Sequence, residues 1–400
     1  MGGSALIGNR TVPASTGAVR WFIAVAALVT ILFFGNELYL RYESSQGQVL
    51  ANDYTIYSFA SHLLWQGDLV TIFDPQKFFA AHEAALRTPV GFTPFPYPPT
   101  GLLVIAPLEF LPGFLGPLIW LGVPFVALAW LVARQAERPW HTTVALLLAP
   151  AALDNIATGQ NGFLSGVLLC GGLLLLKSRP ILAGVLIGLL SFKPQFGILL
   201  PFILLAGGQY RTFATALAVT LGLILLSLVL FGLEPWRVYF ETAMPSHRGF
   251  LENGGGFAVL TMPSVFNAGR LLGLPTTINY ILQGIAALAT VAACTRLFSR
   301  RSIDLELKVP VALVGVFLVT PYCSSYDLVI VAVAQILVLG REAPLSPGQY
   351  QLHAAAWMLP LLMITLSLFH VPIGPLVLAG LFWILMRRAT AGVGAAAQQP

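Results

Sequence analysis

Asp53 is the carboxylate in this sequence whose position best suits a catalytic base. It lies shortly after the first long hydrophobic run, in the polar stretch Ala51–Phe59, which is too polar to enter lipid. An apolar stripe follows it at the spacing of one helix face, formed by Ile56, Phe59, Ala60 and Leu63. A helix with one apolar face beside a membrane is expected to lie in the interface plane. Asp53 would then meet a lipid-borne substrate at the water–lipid boundary. The alternative is that Asp53 only caps this helix.

A base that activates a hydroxyl needs cations close by if the group that leaves is a phosphate. Arginine suits this task through bidentate hydrogen bonds, and lysine supplies a compact charge. Four side chains are candidates for binding a donor phosphate: Lys193, His247, Arg248 and Arg270. The chain has no glycine-rich phosphate loop after a strand, so a lipid-linked sugar phosphate fits better than a nucleotide sugar.

Lys193 and Gln160-Asn161 interrupt apolar segments, whereas Tyr326-Asp327 belongs to a polar stretch, and each of the three has a structural alternative. Lys193 precedes Pro194 within an apolar run, and it is either functional or a lysine that snorkels from a helix end. Gln160-Asn161-Gly162 is either part of a site or a turn between two helices. Tyr326-Asp327 is either part of a site or the start of a helix.

The composition indicates a polytopic membrane protein. Hydrophobic residues make up 57% of the 400 residues and charged residues only 9%, whereas soluble proteins have about 25% charged residues. The mean hydropathy is +0.82. Many arginines lie at the ends of apolar segments, so the net charge of +5 needs no nucleic-acid partner to explain it. The three cysteines show no ligand spacing, which excludes a zinc site of the usual pattern.

These elements predict one integral-membrane domain over residues 1–400 with about twelve transmembrane helices. The first span is Trp21–Leu40, and two long polar loops lie on one side of the membrane, at residues 41–100 and 232–276. Residues 389–400 are predicted to form a disordered tail. The basic residues Arg296, Arg300 and Arg301 mark the opposite, cytoplasmic side.

The orientation of the helices between residues 100 and 210 stays open. Either Leu102–Ala133 crosses twice and Ile181–Ala206 once, or the reverse. Placing the basic residues Arg134, Arg138 and Lys177 in the cytoplasm favours the second arrangement.

A series of short motifs resembles the membrane glycosyltransferases of the GT-C fold, and among them glycosyltransferase family 87. Each motif is weak alone, but their order and spacing are fairly specific. The motifs are Asp53 after the first span, Phe73-Asp74-Pro75, Tyr97-Pro98-Pro99, Gly159-Gln160-Asn161, Lys193-Pro194-Gln195, Pro321-Tyr322 and Tyr326-Asp327. The resemblance favours the first of the two orientations.

The resemblance implies an inverting transfer of a hexose, with mannose the first choice, from a polyprenyl-phosphate donor to a lipid or glycan acceptor. Asp53 would be the base, at the extracytoplasmic face of a bacterial inner membrane. Because Asn52 rather than a second acid precedes Asp53, we predict no metal and no cofactor. The substrate-binding candidates are Asp74, Tyr97, Gln160, Asn161, Gln195, Tyr322, Tyr326 and Asp327.

Two functions from other classes compete with this one. A sugar or lipid transporter, or flippase, would place its charged groups near the bilayer midplane, whereas this chain carries most of them in loops. A non-catalytic scaffold subunit would keep its function after Asp53→Asn.

Overall fold

The protein is helical throughout the residues that its computed structural model describes, which are 16–44, 53–87, 92–136, 139–339 and 345–396. No strand occurs in these ranges, so the expected all-α class is confirmed. Asn52 and residues 397–400 lie outside them.

The first polar loop is an ordered set of three helices after α1 (Thr16–Ser44). They are α2 (Tyr54–Gln66), α3 (Leu69–Phe73) and α4 (Pro75–Leu86). Helix α2 ends at Gly67, whose φ of 81° lies in the left-handed region that glycine adopts without strain. Helix α4 begins with proline at its first position, where its missing N–H leaves no hydrogen bond unmade. The described residues of this loop therefore form helices and not extended coil over most of their length.

The apolar stripe of α2 packs on protein, which corrects the expectation that it faces lipid. Ile56, Ala60 and Leu63 are buried, and α2 contacts α5 (Thr100–Ile105) and the 3-10 helix Ala106–Phe110. Ser61 Oγ donates a hydrogen bond of 3.1 Å to the carbonyl oxygen of Ala106 and accepts one from a backbone N–H of the same 3-10 helix. The stripe predicted the helix correctly, but periodicity cannot say what covers an apolar face.

The middle of the chain contains seven α-helices and two 3-10 turns. They are α6 (Leu115–Ala133), α7 (Pro139–Leu147), α8 (Pro150–Thr158), α9 (Gly162–Leu174), α10 (Pro180–Leu189), the 3-10 turns Leu190–Phe192 and Pro194–Gly197, α11 (Leu200–Ala206) and α12 (Tyr210–Phe231). Gly184 and Gly188 let α10 and α12 pack closely. A Cβ at Gly184 would lie 2.5 Å from Thr215 Cβ, and one at Gly188 would lie 2.6 Å from Val219 Cβ. Small residues four apart are typical of helices that approach each other in a membrane.

Contacts at the two ends of these helices favour the arrangement in which Leu102–Ala133 passes once and Ile181–Ala206 twice. Helix α5 and the 3-10 helix after it stay beside α2, so only α6 passes to the other end. The chain between α10 and α11 turns beside α5, where Thr100 Oγ1 donates to the carbonyl oxygen of Ser191 at 3.2 Å. Helix α11 ends beside Phe298, near the basic segment after α17. How many times each segment crosses the membrane stays a prediction.

The last part of the chain contains the second polar loop and the central helix. Helix α18 is buried at every position from Lys308 to Val319. The elements are α13 (Glu234–Val238), the π-helix Tyr239–Ala243, α14 (Met244–Asn253), α15 (Phe257–Leu260), α16 (Val265–Leu271), α17 (Thr276–Ser299), α18 (Leu305–Val319), the 3-10 helix Ser325–Leu328, α19 (Val329–Leu339), α20 (Pro347–Trp357), α21 (Leu359–Ser367) and α22 (Ile373–Ala396). Helix α22 continues to Ala396, and the disordered tail over residues 389–400 stays a prediction.

Four helices in the described part of the chain are long and apolar enough to cross a membrane. They are Leu115–Ala133, Tyr210–Phe231, Thr276–Ser299 and Ile373–Ala391. Several shorter apolar helices accompany them, among them Gly162–Leu174. The protein is therefore an all-α membrane protein, and the number of about twelve crossings stays a prediction.

Candidate active site

Asp53 uses its carboxylate for a contact with a distant part of the chain. Its side chain makes no capping hydrogen bond to α2. Instead, Asp53 Oδ2 accepts a hydrogen bond of 2.5 Å from Gln160 Nε2, and the Asp53 backbone N–H donates to the carbonyl oxygen of Thr158 at 2.9 Å. The interpretation of Asp53 as a helix cap is therefore wrong.

The turn between α8 and α9 carries the partner of Asp53. Gly159, with a φ of 69°, ends α8, and α9 begins at Gly162. The predicted turn is confirmed, yet its side chains point inward, with Gln160 8% and Asn161 1% exposed. Gly162 lets the turn approach the backbone of Tyr326, because a Cβ there would lie 2.6 Å from the Tyr326 carbonyl oxygen. The turn is thus part of the candidate site.

Two stacked tyrosines connect the two side chains of this turn. Tyr57 O–H donates to Gln160 Oε1 at 2.5 Å, and the Tyr57 and Tyr97 hydroxyl oxygens are 3.2 Å apart. Asn161 Nδ2 donates to Tyr97 Oη. The two rings stack with their centroids 5.8 Å apart. Burial raises the pKa of both tyrosines, so both phenols stay protonated near neutral pH.

A buried ion pair closes the network on its far side. Lys193 Nζ donates to Asp327 Oδ1 at 2.6 Å and to Asn161 Oδ1 at 3.1 Å, and the two charged side chains are 3% and 1% exposed. Lys193 Nζ also lies 5.1 Å from the centroid of the Tyr326 ring. The snorkelling interpretation of Lys193 is therefore wrong. The two 3-10 turns on either side of Lys193 direct it into the protein.

Asp327 lies at the start of a helix, which is one of the two alternatives, and it also forms the ion pair with Lys193. Asp327 Oδ2 accepts a hydrogen bond of 3.3 Å from the backbone N–H of Ser324, at the start of the 3-10 helix Ser325–Leu328. Its other carboxylate oxygen binds Lys193. Tyr322 lies close enough to this site to interact with its charges: burial and the negative charges of Asp327 and Asp53 raise the pKa of Tyr322 to about 12. The site thus contains two carboxylates and one buried ammonium group.

Three predicted phosphate-binding residues, His247, Arg248 and Arg270, lie in the second polar loop, and each contacts other groups of the protein. Arg248 is exposed and donates to Glu252 Oε1 at 2.8 Å. Arg270 Nη2 donates to the carbonyl oxygen of Gly254 at 2.5 Å, while its Nη1 is buried without a hydrogen-bond partner. Burial lowers the pKa of His247 to about 4 despite a contact with the Phe95 backbone. His247 is therefore neutral at pH 7 and supplies no positive charge there.

In the described part of the chain, Asp74 and Gln195 are predicted substrate-binding residues that make no hydrogen bond to the network. Asp74 Oδ1 caps α4, accepting from the backbone N–H groups of Gln76 and Lys77 at 3.2 and 3.1 Å. The backbone N–H and ammonium group of Lys77 help to lower the pKa of Asp74. Gln195 is partly exposed on the 3-10 turn that follows Lys193. The roles of both residues stay predictions.

The main omission of the sequence interpretation is Tyr57. It lies four residues after Asp53 on α2, so both face one side of the helix, and this spacing is the signal that could have identified it. Trp120 was also missed: its Nε1 donates to the carbonyl oxygen of Gly159 at 3.2 Å, and its ring lies 5.0 Å from that of Tyr57.

Among the described residues, no three His, Cys, Asp or Glu side chains gather as a metal site would require. Independence of metals stays a prediction, because it concerns the reaction and not only these side chains.

The fold and the site define a membrane protein with a buried polar network where the helices of the first polar loop meet the apolar helices. The chain belongs to glycosyltransferase family 87, whose sequence profile matches residues 95–321, more than half of the chain. The resemblance that the motifs indicated is confirmed, and the protein is a glycosyltransferase. No curated protein and no solved structure matches the chain. The matched range includes Tyr97, Gln160, Asn161 and Lys193, whereas Asp53 precedes it and Asp327 follows it.

Proposed function

We propose that the protein transfers a hexose, most simply mannose, from a polyprenyl-phosphate donor to a lipid or glycan acceptor, with inversion of the anomeric configuration. Asp53 is the general base. It takes the proton of the acceptor hydroxyl while the oxygen attacks the anomeric carbon and polyprenyl phosphate leaves from the opposite face. The observation that carries this proposal is the carboxylate of Asp53, which is held by Gln160 and not used as a helix cap.

The donor's phosphate requires positive charge, and the contacts rank the candidates. Lys193 is neutralised by Asp327, and Arg248 by Glu252. Arg270 has a buried guanidinium nitrogen without a partner, so it is best prepared to receive a phosphate oxygen. A membrane-borne donor suits a site whose turn between α8 and α9 leads directly into the apolar helix Gly162–Leu174.

The extracytoplasmic face of a bacterial inner membrane is the proposed location of the site. Basic residues gather at the other end of the helices, which the positive-inside rule places in the cytoplasm. Lys308 Nζ donates to the carbonyl oxygens of Phe298 and Arg300 at 3.3 and 2.7 Å, and its charge interacts with that of Lys177.

A transporter or flippase for the same lipid is the competing function, and one assay separates the two. The purified protein is placed in liposomes with radiolabelled polyprenyl-phosphate mannose and an extract of cell-envelope lipids. We expect label in a new glycolipid at the same rate with and without EDTA. Label that only changes leaflet, and stays in the donor, would favour the transporter. Loss of transfer with EDTA would refute independence of metals.

A further inference from the structure

Six side chains form an unbroken line of hydrogen bonds from Lys193 to Asp53, which we call the Lys193–Asp53 chain. Its links join, in order, Lys193, Asn161, Tyr97, Tyr57, Gln160 and Asp53. Four of these residues were predicted to bind substrate or donor phosphate, yet each is engaged with protein partners. The role of the Lys193–Asp53 chain toward Asp53 rests on the proposed function, in which Asp53 is the general base.

The two ends of this chain fix the direction of every bond in it. An ammonium group only donates hydrogen bonds and a carboxylate only accepts them. Asn161 must therefore turn its oxygen to Lys193 and its NH₂ group to Tyr97. Gln160 must likewise turn its NH₂ group to Asp53 and its oxygen to Tyr57.

The remaining bond, between the two tyrosines, is then determined as well. Tyr57 uses its only proton on Gln160 Oε1, so the proton between the two hydroxyl oxygens must come from Tyr97. All five bonds donate in the same sense, from the buried cation toward Asp53. Hydrogen bonds aligned in this way polarise one another.

We infer that Gln160 is a positioning residue for Asp53, and that Tyr57 holds the Gln160 amide with its NH₂ group toward the carboxylate. Without Tyr57, the amide is able to turn over and present its oxygen to Asp53, which would repel the carboxylate. The buried Lys193–Asp327 pair, 134 residues apart in the chain, anchors the far end of this orientation. Gln160 thus acts through Asp53 and not on the substrate.

The first test replaces the amide with an acid, in Gln160→Glu. Two carboxylates about 2.5 Å apart share one proton, which is lost only at higher pH. We expect the acid limb of the kcat/KM profile for sugar transfer to move up by about one pH unit or more. Gln76→Glu is the matched control, because it adds the same charge at an exposed position of α4 and should leave the profile unchanged.

The second test is Tyr57→Phe, which keeps the stacked ring and removes the hydroxyl. We expect kcat to fall about three- to tenfold at unchanged donor KM, and the acid limb to move up by less than in Gln160→Glu. Tyr54→Phe, three positions earlier on α2, should match the parent. Tyr57→Phe and its control Tyr54→Phe test the positioning role of Gln160 even if Gln160→Glu does not fold.

The outcomes separate this inference from the proposed function. If Asp53→Asn keeps full transfer, the proposed role of Asp53 fails. If Asp53→Asn is inactive while folded Gln160→Glu and Tyr57→Phe keep the parental pH profile, the positioning role of Gln160 is refuted. A shift in the profile of either variant, with both controls unchanged, supports it.

Discussion

The cations of this protein stand in two contrasting environments. Lys193 is 3% exposed and holds a carboxylate and an amide oxygen, whereas Arg248 in the second polar loop is 69% exposed and pairs with its helix neighbour Glu252. Lys193 is held in place before any substrate arrives, whereas Arg248 is able to rearrange. We therefore expect the buried Lys193 to organise the site, and we propose that contact with the donor falls to the second loop.

Breaking the buried Lys193–Asp327 pair should have the largest effect on the stability of the protein. Lys193→Met leaves Asp327 buried beside no cation, which typically costs about 3–5 kcal/mol of the free energy of unfolding. We expect a strong fall in melting temperature in detergent. Pairing it with Asp327→Leu should restore much of the lost stability, since two apolar residues replace a desolvated pair. Equal melting temperatures for the parent and Lys193→Met would contradict this account of the pair.

Substitutions of Arg270 and Arg248 in the second loop test donor binding, and we expect both variants to keep the fold. Arg270→Gln is expected to raise the donor KM about tenfold to a hundredfold, as the loss of a charged hydrogen bond does. Arg248→Gln should change it by less than about threefold, because an exposed pair with Glu252 contributes little. Steady-state transfer at varied donor concentration measures both. A larger effect of Arg248→Gln would reverse the ranking of the two arginines.

The comparison also shows which features the sequence could predict. The apolar periodicity and the position of Asp53 predicted a helix directly after it, which the structure shows as Tyr54–Gln66. They could not predict that Asp53 meets a turn more than a hundred residues away, because that contact depends on how the helices pack. For the same reason the sequence could not decide whether Lys193 was functional or a helix-end lysine, whereas the packed fold buries it beside Asp327.

The smallest expected effect is the pH dependence of stability that comes from the buried His82 in the first loop. Burial lowers its pKa from 6.5 to about 4, so the unfolded chain binds a proton in this range that the folded chain does not. Stability is therefore full above about pH 6.5 and falls as the pH drops toward 4. Between pH 7 and 6 the loss is about 0.7 kcal/mol for this group.

His82→Gln should reduce this dependence on pH, because glutamine does not titrate. Denaturant unfolding at pH 7 and 6 measures it, with the exposed His62→Gln as the matched control. If His82→Gln and His62→Gln show the same change between the two pH values, His82 is not the neutral buried group described above.

The central claim is that Asp53 accepts the proton of the acceptor hydroxyl, and Asp53→Asn tests it most directly. Asparagine keeps the size, and its oxygen still accepts the hydrogen bond from Gln160, but it cannot take up a proton near neutral pH. The measurement is sugar transfer by the purified variant, with a melting curve to establish that it is folded. The account predicts a parental melting temperature and transfer reduced about 10²–10⁴-fold. Transfer within about threefold of the parent, far below that range, would contradict it.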